Sequence, residues 1–85
     1  MSPDPGPRKP VLKKRSFALA GHRTSIALEP EFWDALANLA RARNVTLAGL
    51  VAGIDAARAP GQPLASALRV AALRAARTIP PSINQ

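Results

Sequence analysis

His22-Arg23-Thr24-Ser25-Ile26-Ala27-Leu28 reads as an extended stretch, and Glu29-Pro30 follows it at once with a helix start. The alternation has a period of two, which places Ile26 and Leu28 on one face and Arg23 and Ser25 on the other. A lone strand of this length is marginal in water, because its backbone edges and its apolar face both stay open. The segments after it read as helices and offer it no partner. The sequence therefore predicts pairing with the same strand of a second copy, in a two-stranded antiparallel ribbon over a shared core. Ile26, Leu28, Phe32, Leu36, Leu39, Leu50, Val51 and Ile54 would line that core.

Upstream, Pro3, Pro5, Pro7 and Pro10 with Gly6 rule out a helix and leave little to bury. Residues 1–15 are predicted to be a disordered basic arm, ending in Lys13-Lys14-Arg15. Phe17 and Leu19 then repeat the alternation with odd parity, whereas Ile26 and Leu28 are even. A bend or bulge at Ala20-Gly21-His22 would absorb the change.

Downstream, Pro30 suits the first turn of a helix. Phe32, Leu36, Leu39 and Ala40 would form its buried stripe, with Trp33 covering the rim and Asn44 ending it in a left-handed turn. Thr46 is the natural cap of a second helix whose apolar side is Leu47, Leu50, Val51 and Ile54. Gly49 and Gly53 on that helix fit either close helix approach or simple tolerance. Ala59-Pro60-Gly61-Gln62-Pro63 breaks the chain before a third helix over about residues 64–78. Leu64, Leu68, Ala71, Ala72, Ala75 and Ile79 line one side of it, with Arg69, Arg74 and Arg77 opposite. The elements show no internal repeat in their order. The domain is placed at residues 16–79, with a frayed tail over 80–85.

The 85 residues carry a formal net charge of +7 and no cysteine. One small domain without disulfides or metal ligands has oligomerisation left as its staple. A positive balance of this size points to a polyanion, nucleic acid ahead of an anionic membrane surface. No apolar run approaches the about 18–20 residues needed to span a bilayer. Nor does the N-terminal stretch have the apolar core of a secretion signal, so the expected location is the cytoplasm.

Catalysis has little to work with. His22 is the single histidine, tyrosine is absent as well as cysteine, and the glycines are isolated. A triad drawn from Ser25 and His22 would sit on an exposed ribbon with no pocket to exclude water. The chain reads as a non-enzyme with no cofactor and no metal. DNA suits it better: a two-stranded ribbon fits the major groove, where arginine pairs with guanine edges and serine serves either base type. Arg23, Ser25 and Ala27 are the base-facing candidates. His22 and the basic run Lys13, Lys14 and Arg15 are candidates for phosphate contact, as are the amides at the start of the second helix, beside Thr46.

The run Lys14-Arg15-Ser16-Phe17, then Gly21-His22-Arg23-Thr24-Ser25-Ile26, then Leu28-Glu29-Pro30-Glu31-Phe32-Trp33 resembles the ribbon-helix-helix family of DNA-binding proteins, the Arc and methionine-repressor type. The likeness is strongest to a bacterial subgroup with a GHRTS strand and a LEPEFW helix start. It implies a mostly α protein, with one N-terminal strand pairing between two chains and two core helices. The third, C-terminal helix is an addition. It also implies that Arg23, Ser25 and Ala27 face the bases and that Thr46-Leu47-Ala48 anchors a phosphate. The expected protein is a homodimeric, sequence-specific regulator, a repressor, able to form higher-order assemblies on double-stranded DNA. The alternative is an interaction module such as an antitoxin or adaptor, whose third helix binds a protein partner.

Overall fold

The computed structural model describes residues 11–78; the arm of residues 1–10, Ile79 and the tail lie outside them. Strands β1 (Lys13–Leu19) and β2 (His22–Leu28) form a two-stranded antiparallel sheet, followed by α1 (Pro30–Ala42), α2 (Leu47–Ala57) and α3 (Leu64–Thr78). A ribbon followed by helices is the expected order, with one strand more in the chain than expected, ahead of β2. Within the chain one edge of β2 pairs with Lys13–Leu19, so Lys13, Lys14 and Arg15 belong to a strand and not to the arm.

The turn explains the change of parity. Leu19 pairs with His22, and the two residues between them, Ala20 and Gly21, have φ of 49° and 82°. Positive φ at both central positions is what a type I′ hairpin turn requires, and its twist matches that of the strands. A reversal of direction, not a bulge, brings Phe17, Leu19, Ile26 and Leu28 onto one face. All four are buried there.

The helices close over this face. Leu28, Leu36, Val51 and Leu68 come from four different elements and are sealed from solvent. Burying each stabilises the fold by about 1.5–3 kcal/mol. Trp33, expected at the rim, is 3% exposed and central. Strand β1 supplies the second apolar wall that makes it so: the Phe17 ring lies 5.9 Å away and the Arg15 guanidinium 5.6 Å from the indole. Phe32 is the half-buried neighbour instead.

Helix α1 ends in a Schellman motif, with Asn44 at φ 58°, its amide donating to Arg41 O, and the Val45 amide donating to Ala40 O at 2.9 Å. Arg69 does not lie on the free side of α3. Its Nη2 and Nε reach Glu29 Oε1 at 3.0 and 3.1 Å, and its guanidinium sits 5.8 Å from the Phe32 ring. This contact ties α3 to the start of α1.

Among the residues expected in a shared core, Ile26, Leu28, Leu36, Leu39, Leu50 and Val51 are buried within the single chain, and Phe32 and Ile54 are half-buried against it. Of the glycines of α2, Gly53 is not explained by packing within the chain, whereas Gly49 sits tight against its cap. A Cβ at Gly53 would meet nothing within 4 Å, and one at Gly49 would meet only Thr46 Oγ1 at 3.1 Å.

Candidate nucleic-acid interface

The register decides which strand residues point away from the helices. Lys14 opposes Ala27, Ser16 opposes Ser25, and Ala18 opposes Arg23. These six residues share the face opposite Phe17, Leu19, Ile26 and Leu28, because side chains alternate along each strand. Ala27 is half-buried and the other five are exposed. At the centre the two serine hydroxyls lie 2.9 Å apart, which brings them together across the strands.

The expected base-facing residues Arg23, Ser25 and Ala27 therefore do share one outward face. The basic run does not act as a block. Lys14 joins that face, while Lys13 and Arg15 alternate to the inner one, where Lys13 opposes Leu28 and Arg15 leans on Trp33. His22 is exposed beside the turn and shares its side with Leu19. The chemistry of the outward face is compact: a cation near each end, on opposite strands, two hydroxyls between them, and an alanine across from each cation.

A second feature lies at the start of α2. Thr46 caps the helix, its Oγ1 accepting from the Gly49 amide at 2.9 Å. The first amides of a helix have no partner inside it, so those of Leu47 and Ala48 project from the end. Anions favour such an end, through these donors and the helix dipole. Thr46 and Ala48 are exposed and Leu47 is half-buried.

Comparison with known families agrees with this geometry. The model of the ribbon-helix-helix domain matches residues 12–76, from the start of the hairpin almost to the end of α3. The chain belongs to the ribbon-helix-helix family. Ribbon-helix-helix domains are in general DNA-binding modules of the regulatory type, not enzymes, and they dimerise. No curated protein and no solved structure matches the chain significantly. In the described residues, no helix is long and apolar enough to cross a membrane.

Sequence reasoning overlooked Lys14 and Ser16 as members of this ribbon-helix-helix face. The signal was present: Ser16-Phe17-Ala18-Leu19 has the same alternation as Ser25-Ile26-Ala27-Leu28. Reading a bend or bulge at Ala20-Gly21-His22, and not a reversing turn, concealed its partnership with the second.

Proposed function

We propose that the chain is a sequence-specific DNA-binding regulator, a repressor in a bacterial cytoplasm, that places its ribbon in the major groove. The observation that carries this reading is the outward face of β2, where Arg23 and Ser25 stand exposed beside Ala27 in a ribbon-helix-helix chain. Arg23 would donate two hydrogen bonds to a guanine edge, Ser25 would exchange one with a neighbouring base, and Ala27 would admit a thymine methyl. The amides of Leu47 and Ala48 would hold a backbone phosphate. Contacts of that kind fix position, not sequence. Competition binding of wild type and Arg23→Ala to selected and scrambled duplexes tests it. Loss of discrimination with the fold intact supports the reading, and full discrimination in the variant sinks it.

The acting unit proposed is a homodimer, with the second copy on the α2–α3 side. Three shallow hollows meet there and share Ile54; Val45, Gly53, Val70 and Ala71 are among their lining residues. The open space at Gly53 supports close approach of another helix. A second reading gives α3 a protein partner, as an antitoxin or adaptor would have, and is favoured by Leu73, 55% exposed on that helix. If Leu73→Glu weakens self-association, the residue serves the dimer and this second reading falls.

A further inference from the structure

Strand β2 is paired along one edge only. A two-residue turn makes Leu19 and His22 a hydrogen-bonded pair, and bonded and unbonded pairs alternate along an antiparallel ladder. His22, Thr24, Ile26 and Leu28 therefore turn their amides and carbonyls toward β1. Arg23, Ser25 and Ala27 turn theirs to the other edge, where no strand and no backbone partner meets them among the described residues. An open edge is a template for another strand. The residues of β2 whose side chains face outward are the same ones whose backbones are unpaired.

The occupant that fits is the same strand of the second copy in the proposed dimer. Helix α2 packs against β1 and α3 against β2, so the open edge lies on the α3 side of the molecule. Centred on Ser25, an antiparallel pair of β2 strands sets Arg23 against Ala27 of the second copy, and no two cations face each other. The rows of side chains then continue across four strands. The central row is serine throughout, with Ser16 and Ser25 already 2.9 Å apart within the chain. Each flanking row runs from Lys14 through Ala27 to Arg23 and Ala18 of the second copy. Ala27 separates the two cations of its row by two strand spacings, about 10 Å.

Width decides what each strand can reach. Strands lie about 4.8 Å apart, so the outer two of four are about 14 Å from each other, whereas the major groove is about 12 Å wide. The inner pair enters the groove and the outer pair does not. We infer that β1 is a flanking strand at the groove wall, where the exposed Lys14 holds a backbone phosphate and leaves the bases to Arg23. This rests on the proposed reading of DNA by β2 in a homodimer and gives β1 a part in it. The side chains suit the division. A planar guanidinium matches the two acceptors of a guanine edge, and an ammonium on a flexible stem is a point charge suited to phosphate. The dimer grips two phosphates, one on each wall of a single groove.

Hydrogen exchange on the full chain tests the pairing. Where sedimentation shows a dimer, the amides of Arg23, Ser25 and Ala27 should be protected as well as those of Thr24 and Ile26. Fast exchange of the first three in a dimer, or no dimer at all, overturns the inference. Binding of wild type, Lys14→Ala and Arg23→Ala to selected and scrambled duplexes over a range of salt tests the division, with each fold checked by circular dichroism. Lys14→Ala should lower the slope of log affinity against log salt by about 2, roughly 0.9 for each phosphate given up, and keep the ratio between the duplexes. Arg23→Ala should collapse that ratio. If Lys14→Ala relaxes the ratio, or leaves the slope unchanged, the inference is overturned and the reading of DNA by β2 stands. If Arg23→Ala keeps the ratio, or the wild type shows none, that reading falls and the inference with it.

Discussion

The Trp33 indole donates its Nε1 hydrogen to the backbone oxygen of Lys13 at 2.8 Å, tying the first turn of α1 to the outer end of the hairpin. With Phe17 and Arg15 against the same ring, one side chain holds β1 in register with the helices. Trp33→Phe keeps most of the apolar contact and strands the Lys13 carbonyl. The bond is part-buried and water can reach the exposed Lys13, so its loss should cost about 0.5–1.5 kcal/mol. Denaturant titration followed by circular dichroism measures it, and an unchanged midpoint would show that the bond contributes nothing. Trp33 is the only tryptophan, so its fluorescence reports ribbon docking without any label.

Ala20 adopts φ 49° without being glycine. The left-handed conformation costs an L-residue roughly 1–2 kcal/mol, part of which glycine returns to the unfolded chain as entropy. Ala20→Gly should therefore raise stability by up to about 1 kcal/mol and leave DNA binding as it is, because the turn lies outside the paired positions proposed to read bases. A lowered melting temperature would contradict the turn assignment.

Much of this fold is legible in the sequence, and the failures have physical causes. The cap at Thr46, the left-handed Asn44 and the boundaries of the helices follow from short-range rules that need only neighbours along the chain. The ribbon's face follows from period-two alternation. What the sequence concealed was the partner strand. Alanine at the first turn position hides a type I′ hairpin that Asn-Gly would have announced, and the proline-rich residues before Lys13 made the basic run look like their continuation. Trp33 was misplaced for the same reason, since its second wall is β1. The outward position of Arg23 survived the error because alternation fixes it whichever strand lies alongside.

Glu29 closes the ribbon and opens α1, and its carboxyl is held below its ordinary value. A hydrogen bond from its own backbone amide is the largest single cause; partial desolvation works against it, and the Arg69 hydrogen bond and charge add to the lowering. A carboxylate depressed in the folded state contributes stability that is present above its unfolded value near 4.5 and is lost as pH falls through the folded one. Arg69→Ala removes the part of the depression that comes from its hydrogen bond and charge. Its stability should therefore fall less than that of the wild type between neutral pH and about pH 3, compared by urea midpoints. Equal losses would mean that the ion pair is indifferent to stability.

Thr46 has a structural duty beside its proposed place at the phosphate. Thr46→Ala should cost about 1 kcal/mol through the lost cap on Gly49. Thr46→Ser keeps the cap and should restore stability. If neither variant shifts thermal unfolding, the cap is idle in solution.

Gly53 separates the chain's own needs from those of an assembly. With open space at its Cβ, Gly53→Ala should stabilise the isolated fold by up to about 1 kcal/mol through helix propensity. Gly53→Leu should keep the fold and weaken self-association in sedimentation if a second helix approaches there. Unaltered association would move the dimer contact elsewhere.

A ribbon assembled from two copies of a chain writes both of its strands with the same codons, so any substitution strikes twice. In this hairpin Lys14 and Arg23 are encoded separately, and they differ. A single substitution can therefore change one strand of the outward face and leave the other as it is.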